Sequence, residues 1–178
     1  MPQASVDGST VRRFDGSTVC EHDAGPSPAR ISTTEWKTAQ VEIRELDGNH
    51  RAEAVALWDR TGLIRPWNPP YEDFDQAITG NGSAVLGAID GDRLVATAMV
   101  GHDGHRGWDY YLAVDPEVQA TGVGRAMMRA AEAWVREAGI PKIQLMVRST
   151  HTAELGFYDA VGFTVEDTVI LSRWLDRP

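Results

Sequence analysis

The stretch Val114-Asp-Pro-Glu-Val-Gln-Ala-Thr-Gly-Val-Gly-Arg-Ala-Met-Met128 limits what this chain can fold into more than any other. A β-favouring run over 108–114 stops at Asp115-Pro116, because proline lacks the amide that a strand ladder needs. A short loop holding Gly122 and Gly124 then passes straight into an amphipathic segment, expected to be helical over about 122–138. Val123, Met127, Ala130, Trp134 and Ala138 recur at helical spacing and are expected to form its buried face, with Gly139 and Pro141 as the stop. A strand joined so closely to a long helix lays that helix on a sheet, so the fold class is α/β in the mixed, α+β sense.

The flanking segments supply the rest of the sheet. Period-two alternation at Val41-Glu-Ile-Arg-Glu-Leu46 predicts a first strand. Asp47 or Asn49 can cap a helix carrying Ala52, Val55, Ala56 and Trp58, which ends before Gly62. The proline-broken link 63–70 leads to a short helix over 71–78 with Phe74 and Ile78 on one side. Strands over 84–89 and 93–100, joined by Asp90-Gly91-Asp92, read as a hairpin that the 108–114 strand extends into a meander. Beyond the long helix come a strand over 143–147, a helix over 151–160 closed by Gly162, and a final strand over 168–174. The order β-α-α-β-β-β-α-β-α-β predicts a mixed sheet of six to seven strands with helices on both faces.

With 178 residues, one domain is expected over 39–178. Residues 1–38 are rich in Ser, Thr, Gly, Pro and Asp and are expected to form a disordered tail, since they cannot bury enough apolar surface to offset chain entropy. That tail repeats Asp7-Gly-Ser-Thr-Val11 at Asp15-Gly-Ser-Thr-Val19, and a hairpin turning at Asp15-Gly16 is the ordered alternative.

A formal net charge of −9, from 26 acidic and 17 basic residues, provides no basic field for nucleic acid or anionic lipid, so neither partner is expected. A cationic or amine-bearing substrate suits the sign. Cys20, alone, forms no internal disulfide and suggests a reducing compartment. With no signal-like start and no apolar run of about 20 residues, the expected location is cytoplasmic. His102, Asp103 and His105 share a glycine-rich turn that reads as a solvated hairpin, and no metal is expected. Exposed strand edges allow a homodimer.

The glycine pair has two readings. Gly122 and Gly124 permit a tight strand-to-helix turn, or they let the backbone approach a ligand so that first-turn amides form a cradle for phosphate. The spacing completes neither a P-loop nor a dinucleotide fingerprint.

Gln119-Ala-Thr-Gly122-Val-Gly124 is similar to the Gln/Arg-x-x-Gly-x-Gly/Ala signature of the Gcn5-related N-acetyltransferases, and the 147–163 stretch, with Phe157-Tyr158 and Gly162-Phe163, resembles that family's closing Phe-Tyr-x-x-x-Gly-Phe segment. The resemblance covers roughly 41–174. It implies acetyl-coenzyme A as co-substrate and an amine-bearing acceptor, a small molecule or a peptide. The backbone of Leu112, Ala113 and Val114 would part from the 143–147 strand to bond the pantetheine arm, and the loop Gln119, Ala120, Thr121, Gly122, Val123, Gly124 and Arg125 would receive the pyrophosphate. His151 stands where relatives often carry asparagine near the pantetheine, and Tyr158 matches the tyrosine assigned to protonating the departing thiolate. As a residue, Tyr158 also reads as ordinary helix packing.

Some relatives place a basic glutamate on the strand that here ends at Val114, but no glutamate lies between Trp108 and Val114. Asp109, Tyr110 or Tyr111 is the candidate base, and simple alternation puts Asp109 and Tyr111 on the face opposite Tyr110. An amine arriving neutral would need no dedicated base. Trp67, Asn68, Tyr71 and Trp108 are acceptor-side candidates, with plain aromatic packing as the alternative. Two other functions remain compatible: a noncatalytic acyl-coenzyme A-binding regulatory domain, and an interaction module that has lost its cofactor.

Overall fold

Alternating side chains set the sheet, and the computed structural model describes it over residues 41–175. The tail, its repeat and Cys20 lie outside the described residues. Strand β1 (Glu42–Glu45) is followed by a 3-10 turn and helix α1 (Arg51–Arg60), then helix α2 (Pro70–Thr79). Strands β2 (Ser83–Asp90), β3 (Arg93–His102) and β4 (Gly107–Val114) form the antiparallel meander, and helix α3 (Val123–Glu137) leads to β5 (Ile143–Leu145) and helix α4 (Thr152–Ala160). The sheet order is β1-β2-β3-β4-β5, antiparallel throughout except for the parallel β4–β5 pair. That exception follows from the α3 crossover, since two parallel strands cannot be joined by a tight turn.

Helices α1 and α2 cover one face. There Trp58 and Phe74, both fully buried, pack with Leu57, Val85 and Ala113. Helix α3 covers the other, setting Val123, Met127 and Ala131 against Leu86, Ala96, Ala98 and Val100. Gly107 allows this close approach: a Cβ there would collide with the Val135 side chain. The α3 stripe is rotated from the expected one. Val123, Met127, Met128, Ala131 and Val135 are buried, whereas Ala130 and Trp134 are half-buried and Ala138 is exposed. Trp134 sits at the margin because its indole N–H reaches Glu45 Oε1 at 2.7 Å.

Asp47 caps the 3-10 turn, accepting from the Asn49 amide, while His50 occupies the cap position of α1 with its ring turned to Asp47 and Arg44 rather than capping the helix. At the other end, β5 is shorter than expected. The described residues contain five strands, and 168–174 forms none. Val169 and Leu171 are 89% and 91% exposed. Thr168, Val169 and Ile170 are β-favouring residues, but a strand also requires a neighbouring ladder, and that segment hydrogen-bonds to none.

Candidate functional site

The opening in the sheet is built by a change in pairing. Gly107, Trp108 and Asp109 face Ile143, Gln144 and Leu145, and pairing stops there. Beyond Asp109, β4 runs on to Val114 with β3 on one side only. The backbone groups of Leu112, Ala113 and Val114 on the β5 side therefore border an opening. One of them is already used, since the Gln119 side-chain amide donates to the Val114 carbonyl at 3.1 Å.

A bulge coincides with this departure. Thr97 faces Ala113 and Met99 faces Tyr110, so β4 carries one residue more than β3 across that interval. Tyr111 absorbs it with φ 51°, in the left-handed region that an aromatic residue rarely adopts. The bulge corrects the expected alternation. Asp109, opposite Val100, faces α3, whereas Tyr110, opposite Met99, faces the α1–α2 side. Tyr111 also turns to that side, stacking on Trp58 with ring centroids 4.2 Å apart.

Three hydrogen bonds hold the strained turn. The Trp58 indole donates to Thr97 Oγ1 at 2.8 Å, the Thr97 hydroxyl donates to the Tyr111 carbonyl at 3.3 Å, and the Tyr111 hydroxyl donates to Asp73 Oδ2 at 2.7 Å. Burial, followed by the Asp73 bond, pushes the Tyr111 phenol up to about 12. Tyr111 is thus a poor base and a good strut. Sequence reasoning missed Thr97 and Asp73, because neither a bulge nor a partner across the fold leaves a local pattern. Thr97→Val should cost about 1–3 kcal/mol by stranding the Trp58 N–H and the Tyr111 carbonyl. Urea unfolding should show it as a lower midpoint with unchanged slope.

At the far end of β4, Asp115 accepts from the Glu117 amide and starts a 3-10 turn over Pro116–Val118. Ala120, with φ 60°, and Gly122, with φ 97°, then bend the backbone before α3 begins. The Thr121 hydroxyl ties this loop by donating to the Val118 carbonyl at 2.6 Å. Ala126 is bonded to the Gly122 carbonyl, which leaves the preceding first-turn amides of Val123, Gly124 and Arg125 without acceptors inside the helix. The first turn has no acidic side chain. Arg125 is exposed and forms no ion pair among the described residues. Donors, helix dipole and cation therefore agree in sign, and the loop fits a pyrophosphate.

Val123 contributes only its amide, since its side chain is buried under the sheet. Gly124 has a second duty: a Cβ there would lie 3.3 Å from the Phe157 ring, so its absence lets α4 close on α3. Gly122→Ala should place a side chain at φ 97°, costing about 1–2 kcal/mol and turning the loop amides away. Calorimetry should report acetyl-coenzyme A affinity lowered by about tenfold.

Asp109 is 4% exposed, and its Oδ1 has no hydrogen-bond partner. Burial alone pushes its carboxyl up to about 8. Tyr158 lies within its electrostatic reach. Burial first, then the charges of Asp109 and Glu154, raise the Tyr158 phenol above its ordinary value. Tyr158 sits on α4 between the Phe157 and Phe163 rings, at 5.1 and 5.8 Å, and lines a cleft of about 650 Å³ beside β5. Asp109 thus lies on the α3 face where β4–β5 pairing ends, and its charge acts on Tyr158. His151, at the start of α4, has Nδ1 3.5 Å from Glu154 Oε1 and makes no cap bond.

Of the acceptor-side candidates, Trp67 and Tyr71 are 44% and 45% exposed, and Asn68 opposes Asp73 in its effect on the Tyr111 phenol. Trp108 lies farther along, its ring 6.5 Å from that of Tyr110. His102, Asp103 and His105 do not converge: His102 packs 5.8 Å from the Trp134 ring, while Asp103 Oδ1 accepts from the His105 and Arg106 amides.

Residues 50–163 match the profile of the family described as "Acetyltransferase (GNAT) family". The chain is 33% identical over 135 residues to Acetyltransferase YE1169 of Yersinia enterocolitica, covering 76% of this chain and 96% of that protein. Among solved structures, the aminoglycoside N-acetyltransferase AAC(6')-Iy, bound to the bisubstrate analogue CoA-S-monomethyl-acetylneamine, superposes with a TM-score of 0.67 at 17% identity, over 75% of this chain and 97% of that one. Glucosamine-6-phosphate N-acetyltransferase from Arabidopsis thaliana gives a TM-score of 0.60 at 14% identity, over 76% and 99%. These two likenesses concern the fold.

Proposed function

This chain belongs to the GNAT acetyltransferase family and is an acetyl-coenzyme A-dependent acetyltransferase, and we propose that it acetylates a primary amine by direct attack on the thioester. The observation that carries the proposal is the end of β4–β5 pairing at Asp109, which leaves an opening that leads along β4 to the α3 cradle. Leu112 and Ala113 offer backbone groups to an amide-rich pantetheine arm in that opening. The amides of Gly122, Val123, Gly124 and Arg125, with the Arg125 guanidinium, receive the pyrophosphate. Gln119, Ala120 and Thr121 shape the loop, and His151 flanks the arm.

The amine nitrogen bonds to the acetyl carbon, and the carbon–sulfur bond then breaks with its electron pair passing to sulfur. Tyr158 gives its phenolic proton to the departing thiolate. The nitrogen must lose a proton, which Asp109 accepts directly or through water. A carboxyl near 8 is partly ionised at neutral pH and can hold that proton, as a base matched to the working pH should. A proton gained at Asp109 can return to the phenol through water, since the Asp109 charge acts on Tyr158. Attack by an amine also avoids any metal or covalent enzyme intermediate in this scheme.

Incubation with acetyl-coenzyme A and a panel of small amines and lysine peptides, followed by measurement of free thiol, tests the reading. Thiol release accelerated by an amine, with acetylated amine formed in equal amount, is the expected result. Binding of acetyl-coenzyme A with no acceleration by any amine would leave a regulatory acyl-coenzyme A-binding domain instead.

A further inference from the structure

The α1–α2 face of β4 carries two aromatic rings that the fold covers only in part, Trp108 half-buried and Tyr110 exposed. Trp108 and Tyr110 project there, with planes 19° apart, and Tyr110 is 42% exposed. The register sets Trp108 opposite Gly101, so no side chain from the adjoining strand rises beside the indole. The result is a recess of about 380 Å³, with Gly82, Ser83 and Gly101 among its lining and Asp103 at its rim. Exposed aromatic surface is costly in water and is retained where something stacks on it.

Asp103 adds charge and position. Its Oδ1 accepts from the Arg106 and His105 backbone amides at 2.7 and 2.8 Å, which fixes the carboxylate. Those bonds, Arg106 first, hold it below the usual carboxylate range. No lysine or arginine among the described residues forms an ion pair with it. The recess therefore offers two nearly parallel aromatic rings and a fixed anion without its own cation.

At its inner end stands Tyr110, the residue next to Asp109, where β4 leaves β5. Consecutive Cα atoms are about 3.8 Å apart, so a molecule lying along Trp108 and Tyr110 reaches the opening from the face opposite Asp109. We propose that this recess is the acceptor subsite and selects a ring-bearing diamine, with one ammonium held by Asp103, the ring stacked on Trp108 and Tyr110, and the second amine delivered into the opening. The net charge of −9 favours the approach of such a dication. The assignment rests on the acetyl-transfer reading for its purpose, but its binding step can be measured alone.

The test is calorimetry of p-xylylenediamine against the full chain without acetyl-coenzyme A, with benzylamine and hexamethylenediamine as comparators. The ring diamine should bind about tenfold more tightly than either. Trp108→Ala and Tyr110→Ala should each weaken it by about tenfold. Asp103→Asn retains an Oδ1 acceptor for the two amides, so the turn keeps its bonds while the charge is lost. That variant should lose the preference for p-xylylenediamine over benzylamine. Equal affinity in wild type and Asp103→Asn, or no binding by wild type, would overturn the assignment. Diamine binding that depends on these residues but without acetyl transfer would support the recess and defeat the transfer reading, so the two failures are distinguishable.

Discussion

Asp109→Asn should yield a protein that is more stable than the parent at pH 8 and much slower. The parent carboxyl is raised from 3.8 to about 8 by burial, so between those values the folded protein keeps a proton that the unfolded chain releases. Stability contributed by that held proton is fully present below about pH 4 and is lost as pH rises through about 8. Asparagine removes the titration. The two proteins should therefore have similar pH dependence in acid and diverge toward pH 8, with the variant ahead by an amount whose ceiling is about 6 kcal/mol at about 1.4 kcal/mol per unit. Denaturant midpoints across that range measure the divergence.

Turnover should move the other way. If Asp109 accepts the amine proton, the parent rate climbs as the carboxyl ionises toward pH 8, and Asp109→Asn loses both that limb and about 10²–10⁴-fold in kcat. Parallel pH profiles with equal kcat would leave Asp109 as a buried structural group and favour an amine that arrives neutral. A stability gain coupled to a loss of rate is the signature of a group retained for chemistry at the fold's expense.

Tyr158→Phe should lower kcat by about 10²-fold or more while acetyl-coenzyme A affinity stays within about twofold. The ring remains between Phe157 and Phe163, so packing is preserved and only the hydroxyl is removed. The raised phenol stays protonated through the working range, which keeps the donor loaded before the carbon–sulfur bond breaks. Single-turnover thiol release in the presence of saturating amine isolates this step. Unaltered release would return Tyr158 to a packing role.

The loop before α3 was legible because its information is local. Gly122 adopts φ 97°, a conformation glycine permits, and a loop feeding directly into a helix exposes amides wherever it occurs. The meander was legible for a similar reason, since the turn at Gly91 joins two strands adjacent in sequence. The site's other half was not. Alternation assigned Tyr111 to the wrong face because one inserted residue reverses every side chain beyond it, and the insertion is held by Trp58, Thr97 and Asp73 from three other elements. The 168–174 segment shows the same limit in reverse, for it has β-favouring residues but no ladder.

Sequence alone determined which segments alternate at period two or recur at helical spacing, where glycine and proline break them, and that amides gather at one helix start; each follows from interactions between near neighbours in the chain. Tertiary structure decided where β4 parts from β5, that Asp109 is stripped of water there, and that Tyr110 stays exposed beside a half-buried Trp108. Burial, strand separation and the raising of a carboxyl depend on which distant surfaces meet. Those free energies arise only when the elements pack.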